Sequence, residues 1–236
     1  MKKQIFIMSL LLCFGTGMYA QPKATGEPIV IAKMNEPLRM PVWSPDGTKL
    51  SITSLKNDGL WEVSSNGSHF RQVSTKTGAG NQLRAATANN IHPLIKKMAD
   101  DPANAAAQIE SLKTLKDYLI FNPVLSPTGD KIVFQVSDGK GLYVCNSDGS
   151  GLRSLGKGER ATWTIDGKYI VVMQIEDNGE VVTKGELISI NIASGERSLL
   201  LSSEKYIALS PAISPDGKKI AFEEYASGAI YVMDIQ

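Results

Sequence analysis

The stretch Pro41-Val-Trp-Ser-Pro-Asp-Gly-Thr-Lys-Leu50 decides the fold, because similar copies of it occur three more times in the chain. These copies are Pro123-Val-Leu-Ser-Pro-Thr-Gly-Asp-Lys-Ile132, Ala161-Thr-Trp-Thr-Ile-Asp-Gly-Lys-Tyr-Ile170 and Pro211-Ala-Ile-Ser-Pro-Asp-Gly-Lys-Lys-Ile220. Each contains two short apolar stretches joined by a turn with glycine. Glycine accepts the positive φ that a tight hairpin requires, and aspartate before it favours the same turn. The repeat therefore predicts a fold built from equivalent hairpins.

A second repeated unit follows each hairpin. It reads Gly59-Leu-Trp-Glu-Val63, Gly141-Leu-Tyr-Val-Cys145, Glu186-Leu-Ile-Ser-Ile190 and Ala229-Ile-Tyr-Val-Met233. The first three units lead into another glycine turn and then a fourth strand, predicted at His69–Val73, Leu152–Leu155 and Arg197–Leu201. Four strands joined by tight turns over about 40 residues are typical of one blade of a β-propeller.

The spacing of the copies sets the number of blades. The turn glycines lie at positions 47, 129, 167 and 217, so successive copies are 82, 38 and 50 residues apart. The shorter steps each hold one blade, whereas the long step holds one blade and roughly 40 further residues. We therefore predict an all-β fold, a small β-propeller of about four four-stranded blades, with a fifth blade left open in the long step.

The phrase Trp43-Ser-Pro-Asp-Gly47, followed by units such as Leu142-Tyr-Val144, resembles the repeat of the TolB-like, or PD40, propeller family. The resemblance covers about residues 40–236, with a gap at Ser74–Phe121. Members include periplasmic scaffold proteins and the propeller domains of serine peptidases, so the resemblance implies the fold more than one function. The stretch before the first copy is too short for the α/β domain of TolB, and the Gly-x-Ser-x-Gly elbow of the peptidases does not occur.

The N-terminal stretch Pro28–Met34 is rich in β-branched residues and directly precedes the first copy. The last copy contains only three strands, which end near Met233. We expect the N-terminal strand to supply the missing outer strand, closing the ring and protecting an exposed sheet edge. The alternative interpretation is a separate N-terminal strand.

The long step contains a predicted helical insert at about residues 78–119, after the first blade. Asp101-Pro102 has the composition of a helix start, with proline at the first helical position. Apolar residues then recur at helical spacing, namely Ala105, Ile109, Leu112, Leu115 and Leu119. Shorter helices are predicted at His92–Ala99 and Asn81–Asn89. The insert is either a functional element or a cap that occupies the space of a lost blade.

Propeller topology places the insert on the same face as the loops between the second and third strands of each blade. Loops on a rigid scaffold are where binding residues concentrate. The candidate interaction face comprises Lys56, Asn57, Asp58, Asp138, Lys140, Glu176, Asp177 and Tyr225 in these loops, together with Ile109 and Leu112 of the insert.

The N-terminus has the pattern of a secretory signal, with Lys2 and Lys3 before the apolar core Ile5–Phe14. We expect cleavage after residue 20, a linker over residues 21–27 and a single propeller domain over residues 28–236. The apolar core is shorter than the roughly 20 residues that span a bilayer, and no spanning stretch remains after signal removal. These features predict a periplasmic location, with secretion as the alternative.

Composition and residue types argue against several functions. Signal removal leaves 23 basic and 24 acidic residues, a balance that predicts no nucleic-acid partner. Two separated histidines, His69 and His92, predict no metal site. The repeated carboxylates Asp46, Asp166 and Asp216 are interpreted as turn residues, because Thr128 replaces them in the second copy. Cys145 is interpreted as a buried small residue. We predict no catalytic residues and no cofactor.

The sequence thus favours a non-enzymatic periplasmic scaffold that binds a protein or cell-envelope component through one propeller face. The alternative is a propeller that binds or degrades carbohydrates or peptides in its central pocket. Self-association through the insert is a third hypothesis, and the sequence does not determine the oligomeric state.

Overall fold

The computed structural model describes residues 20–81 and 93–236. Within these ranges the chain forms four antiparallel four-stranded sheets, as the repeat predicts. Blade 1 contains β2 (Leu38–Trp43), β3 (Lys49–Ser54), β4 (Leu60–Ser64) and β5 (Arg71–Ser74). Blade 2 contains β6 (Ile120–Leu125), β7 (Lys131–Val136), β8 (Gly141–Asn146) and β9 (Arg153–Gly156). Blade 3 contains β10 (Glu159–Trp163), β11 (Tyr169–Asp177), β12 (Val182–Asn191) and β13 (Arg197–Leu201).

Blade 4 combines both ends of the chain. It contains β14 (Ala208–Ile213), β15 (Lys219–Glu224), β16 (Ala229–Asp234) and, as its outer strand, β1 (Ile29–Ala32). β1 pairs antiparallel with β16, with Ile29 opposite Val232. The prediction that an N-terminal strand completes the last blade is confirmed. Pairing extends into the predicted linker, because Lys23 and Gln236 exchange two backbone hydrogen bonds of 2.9 and 3.0 Å.

The first strand of each blade lies nearest the propeller axis, since β10 contacts both β6 and β14, and β14 contacts β2. Buried apolar side chains join the blades in pairs. One cluster joins blades 2 and 3 around Val133 and Ile170, and a second joins blades 3 and 4 around Val171 and Phe222. A third joins blade 4 to blade 1 around Ala221. The chain is therefore a small β-propeller whose core lies between blades.

Two tryptophans at equivalent positions of the first strands, Trp43 and Trp163, pack between blades. Trp43 of blade 1 donates its indole N–H to the carbonyl of Ala212 in blade 4, at 2.8 Å. Trp163 of blade 3 makes the same contact with the carbonyl of Val124 in blade 2, at 3.2 Å. These tryptophans therefore connect neighbouring blades, and each satisfies its polar atom while it does so.

Every first strand contains a bulge, which lies three residues before Trp43, Leu125, Trp163 and Ile213 in blades 1 to 4. In all four first strands the bulge residue is not glycine yet has a positive φ, at Met40 (52°), Asn122 (51°), Arg160 (53°) and Ser210 (49°). The pairing register of each first strand shifts across this residue. Left-handed backbone at a residue with a Cβ costs about 1–2 kcal/mol, so the surrounding structure must stabilise it.

The stabilising contact is a hydrogen bond from the bulge N–H to the preceding blade. The Met40 N–H donates to the Glu223 carboxylate at 2.9 Å. The Arg160 N–H donates to the Gln135 side-chain oxygen at 3.3 Å. The Ser210 N–H points to the sulfur of Met173, at 3.3 Å. The three acceptors hold equivalent positions on the second strands, so three junctions between blades share one design.

The junction from blade 1 to blade 2 differs. At the position of Val133, Val171 and Ala221, which are buried against the following blade, blade 1 has Ser51. Beside it, Glu62 forms ion pairs with Arg71 at 3.0 Å and with Lys49 at 3.9 Å. A charged sheet face is typical of a terminal repeat that no further repeat covers. Blade 1 thus presents a polar face where the other blades are apolar.

The insert covers the opposite face of blade 2, the one that does not pack against blade 3. Its helix α1 (Pro93–Asp100), helix α2 (Ala105–Gln108) and a 3-10 helix (Glu110–Leu115) bury their apolar residues against β6, β7 and β8. Met98 and Leu112 are fully buried in this cluster, together with Ile132 and Phe134 of blade 2. The insert therefore acts as a cap on blade 2, which was one of the two interpretations of the sequence.

The helical details differ from the prediction. The chain makes a turn after Asp101, whose carbonyl accepts the N–H groups of Asn104 at 3.1 Å and Ala105 at 2.9 Å, so Pro102 does not begin the helix. The helix then breaks at Ile109, which is extended (φ −114°, ψ 110°). The apolar positions 109, 112 and 115 are three residues apart, a spacing that suits a 3-10 helix of three residues per turn. The predicted helix Asn81–Asn89 falls almost entirely outside the described residues.

Candidate interaction face

The loops between second and third strands lie on one face of the propeller, here called the loop face. Hydrogen bonds hold these loops against the residues that precede the first strands. The N–H of Leu55 donates to the Pro37 carbonyl at 3.2 Å, and that of Tyr225 donates to the Ile207 carbonyl at 2.9 Å. The N–H of Ser137 likewise donates to Leu119 at 3.0 Å, which places the end of the insert on the same face.

Most of the predicted loop residues are exposed, and two are half-buried. Six are exposed: Lys56, Asp138, Lys140, Glu176, Asp177 and Tyr225. Asn57 and Asp58 are half-buried. Asn57 and Asp138 both lie in these turns with positive φ, 58° and 57°, a conformation that asparagine and aspartate tolerate better than most residues. Their role in the turns is thus explained by backbone geometry.

Two of the predicted residues hold the ends of the insert. The carboxylate of Asp58 accepts the N–H of Gly78 at 2.9 Å, where the insert begins. The ammonium group of Lys140 lies 4.9 Å from the centre of the Tyr118 ring, where the insert ends. Hydrogen bonding to Tyr118 raises the pKa of Lys140 above its usual value. The insert is therefore attached to the loop face of blades 1 and 2 at both of its ends.

Ile109 and Leu112 do not belong to an exposed face. They are 8% and 0% exposed, because both side chains pack into the cluster that covers blade 2. The expectation that these insert residues contact a partner is corrected by this burial. Both residues belong to the core of the insert. A helical spacing of apolar residues does not by itself distinguish a buried face from a binding face.

The loop face carries five exposed apolar side chains, of which only Tyr225 was predicted from the sequence. Leu55 is 51% exposed, Leu119 49%, Val181 49%, Tyr225 42% and Phe121 36%. Each of the four blades contributes to this set, either from its loop or from the residues at the start of its first strand. Single exposed apolar residues are ordinary on protein surfaces, whereas several on one face of a rigid scaffold are a candidate contact surface. No periodic signal marks them, because loops have none.

Charged groups flank these apolar residues. Glu176 and Lys184 form an ion pair of 3.0 Å across the long hairpin of blade 3. Hydrogen bonding to Glu176 raises the pKa of Lys184. Near the axis, Arg39 lies 3.5 Å from the buried carboxylate of Glu223, whose side chain is 5% exposed. The loop face therefore combines an apolar set with ion pairs of both signs.

The repeated carboxylates lie on the opposite face, here called the turn face. Asp46, Asp166 and Asp216 each accept the hydroxyl hydrogen bond of the Ser or Thr two residues earlier in their own hairpin turns. In the second copy, where Thr128 holds the position of the aspartate, Asp130 is the acceptor instead and accepts a hydrogen bond from the Ser126 hydroxyl at 2.9 Å. In the second copy the carboxylate comes from a residue two positions later in the sequence and still accepts the same serine hydroxyl, as expected for a group that stabilises the turn. The interpretation of these residues as turn residues is confirmed.

These turns predict how stability depends on acid. Hydrogen bonds from Ser44 and Thr48 lower the pKa of Asp46 to about 2, and hydroxyl hydrogen bonds also lower those of Asp130, Asp148 and Asp216. A carboxyl group with a depressed folded pKa stabilises the fold above its unfolded pKa and loses that contribution as the pH falls through the folded pKa. Thermal unfolding measured from about pH 5 to about pH 2 should therefore show falling stability. Asp46→Asn should flatten this dependence, and an unchanged profile would contradict the assignment.

Other reactive residues are accounted for by structure. Burial raises the pKa of the Cys145 thiol to about 12, as expected for a small core residue rather than a nucleophile. His69 is exposed, with its Nδ1 2.9 Å from the Ser68 hydroxyl. Within residues 20–81 and 93–236, no group of three or more potential metal-ligating residues comes together. His92 lies outside those ranges.

A cavity of about 680 Å³ lies on the turn face. The turns of blades 3 and 4, the end of β16 and the segment before β1 enclose it, with Ile165, Tyr169 and Ile235 among its lining residues. One oxygen of Asp166, another lining residue, is buried without a hydrogen-bond partner. None of the residues predicted for the interaction face lines this cavity.

Comparisons with known proteins found similar structures but no sequence family. No protein-family model matches the chain, and no curated protein matches it. A putative TolB from Agrobacterium tumefaciens is similar at 20% identity and a TM-score of 0.40, over 90% of this chain and 65% of that one. TolB from Acinetobacter baumannii is similar at 13% identity and a TM-score of 0.40, over 88% of this chain and 57% of that one.

Other similar structures have different activities. An oligogalacturonate lyase from Vibrio parahaemolyticus is similar at 15% identity and a TM-score of 0.38, over 89% of this chain and 52% of that one. The chain thus spans less than two thirds of the length of these three proteins. Its assignment as a propeller rests on its own four sheets. Among the described residues, no helix is long and apolar enough to cross a membrane.

Proposed function

We propose that the protein is a non-enzymatic scaffold of the cell envelope that binds a protein partner through its loop face. The observation that supports this proposal is the set of five exposed apolar side chains, Leu55, Leu119, Phe121, Val181 and Tyr225, which all four blades supply to one face. Apolar and aromatic anchors surrounded by polar groups are typical of protein-binding surfaces.

The scaffold holds these residues in fixed positions. Leu55 and Tyr225 each follow a second strand directly, and their N–H groups are bonded to the chain before the first strand of the same blade. A surface that is ordered before binding loses less conformational entropy when the partner arrives. The loop face therefore suits recognition of a partner by a largely preformed surface.

The periplasm is the proposed location. It is supported by the basic residues and short apolar core at the N-terminus, which have the pattern of a cleaved export signal. The first step of the experiment below tests this point. The full-length chain is expressed with its own N-terminus, and mass spectrometry of the exported protein shows whether it begins at Gln21.

Serine substitutions at Leu55 and Tyr225 are expected to weaken partner binding, each by about tenfold or more, which corresponds to anchors worth about 1.4 kcal/mol or more. The matched control is Ile165→Ser, because Ile165 is 53% exposed but belongs to a turn on the opposite face. The measurement is cross-linking of the purified variants to envelope extract, with the captured protein identified by mass spectrometry. Its affinity is then measured with the purified partner.

The three variants separate the proposal from its alternatives. A partner that the Leu55 and Tyr225 variants lose and the Ile165 variant retains would support binding through the loop face. A partner lost only by the Ile165 variant would place binding on the turn face and contradict the proposal. Thermal unfolding of each variant shows whether the substituted surface residues disturb the fold.

The alternative is a ligand pocket for carbohydrates or peptides at the axis. The Arg39–Glu223 pair favours it, since Glu223 is a nearly buried carboxylate close to the first strands. Tyr225, Lys140, Glu176 and Asp177 on the loop face would provide further contacts. Screening of oligosaccharides and short peptides by thermal shift tests this alternative. Stabilisation by one ligand class, lost in Arg39→Ala, would favour it over the scaffold.

A further inference from the structure

The outer strand of blade 4 differs from the other outer strands in charge. The outer strands of blades 1, 2 and 3 begin with Arg71, Arg153 and Arg197, respectively. β1 reads Ile29-Val-Ile-Ala32 and contains no charged residue. Charged side chains on edge strands discourage pairing with other chains. The edge formed by β1 carries no such charge within the strand.

The edge of β1 is also exposed. β1 is the terminal strand of its sheet, in the order β1-β16-β15-β14, so one of its edges has no partner strand in the described chain. Ile29 and Val30 are 57% and 50% exposed, whereas Ile31 and Ala32 are buried. Two adjacent, half-exposed β-branched residues on an open edge are a template for pairing with another strand.

The residues that flank β1 indicate which strand fits. Glu27 lies three residues before Val30, and Lys33 lies three residues after it. In an antiparallel pair of two β1 strands centred on Val30, the segments that flank the strand bring Glu27 of each copy near Lys33 of the other. Both residues are exposed. Opposite charges at directly opposed positions stabilise antiparallel strands, and like charges destabilise them.

We propose that two copies of this chain associate through β1, pairing antiparallel about Val30 and joining two four-stranded blades into one eight-stranded sheet. The contact is isologous, since each copy uses the same residues, so it closes at a dimer. The paired segment is short, and a small interface predicts a dimer that dissociates on dilution. The loop face is not part of this contact, so the two surfaces are separate.

The local electrostatics agree with this pairing. Glu27 already bonds the Lys205 ammonium group at 2.7 Å, and this hydrogen bond lowers the pKa of the Glu27 carboxyl group. Glu27 is therefore ionised at neutral pH and can face Lys33 of a second copy. The Tyr206 hydroxyl also donates to this carboxylate, at 3.4 Å, so Lys205 and Tyr206 are the ionisable groups that contact Glu27 within the described residues.

The test is sedimentation velocity on the exported protein over a wide range of concentrations. The unmodified protein is expected to shift from monomer to dimer as its concentration rises. Val30→Arg should remain monomeric, because it places a charge in the centre of the pair. Leu199→Arg is the matched control on β13, where Leu199 is 57% exposed, and it should dimerise normally.

Charge exchange tests the register. Glu27→Lys and Lys33→Glu should each weaken the dimer, because each places like charges opposite one another at both ends of the pair. The double variant E27K/K33E should restore it. A protein that stays monomeric at every concentration, or a dimer that V30R leaves intact, would overturn the proposal. Failure of the double exchange to restore a dimer lost in both single variants would overturn it as well.

Discussion

Replacing Gly141 with alanine is expected to destabilise the protein by about 2–5 kcal/mol, combining the cost of left-handed backbone with that of overpacking. Gly141 begins β8 with φ of 80°, and a Cβ there would lie 2.4 Å from the carbonyl oxygen of Gly156 in β9. The clashing atom belongs to the backbone, so no side chain can rotate away. The outer strand of blade 2 would have to shift from its neighbour.

The control for this substitution is Gly139→Ala in the same loop. Gly139 has a similar φ of 72°, but nothing lies within 4 Å of the position its Cβ would take. Its cost should be the backbone contribution alone, about 1–2 kcal/mol. Urea unfolding of both variants measures the difference. Equal decreases in the free energy of unfolding for the two variants would show that β8 and β9 can move apart to accommodate the Cβ at position 141 without a measurable cost.

Leu112→Ala is expected to lower the free energy of unfolding by about 2–5 kcal/mol, the range for a leucine removed from a core. Leu112 is fully buried between the insert and blade 2. If the insert were an appendage that binds partners, the same substitution would leave stability almost unchanged. The prediction therefore decides between the cap and the appendage.

Thr114→Ala provides the comparison, since Thr114 lies in the same 3-10 helix but is exposed. Its effect should stay within about 0.5 kcal/mol, as for most surface substitutions. Thermal or urea unfolding serves for both variants. A small loss in both would mean that blade 2 keeps its core without the insert.

The blades could be predicted from sequence because their turns are chemically distinctive. Glycine at positions 47, 129, 167 and 217 adopts positive φ in every copy, and the strands on either side contain β-branched residues. The outer strand β13 has the predicted bounds Arg197–Leu201. Completion of blade 4 by β1 could be predicted because the last repeat lacks a fourth strand and the N-terminal segment contains an additional one. These features are local in the chain and leave a pattern.

The features that the sequence did not predict depend on contacts between distant residues. The bulges at Met40 and Ser210 need acceptors from the preceding blade, so no local pattern of glycine marks them. Leu112 looked like part of a binding stripe until its contact with blade 2 was known. The exposure of Leu55 and Val181 depends on how four loops are arranged around the axis, which spacing along the chain does not describe.

The pairing of β1 with β16 has a mechanical consequence. Lys23 lies beside Gln236, and the strands run antiparallel from there, so the two chain segments leave the sheet at the same end. Tension applied through these segments would load the hydrogen bonds one after another, beginning with the Lys23–Gln236 pair. Under tension, β1 would therefore separate from β16 one hydrogen bond at a time. On heating, by contrast, all of these hydrogen bonds would contribute together to the stability of blade 4.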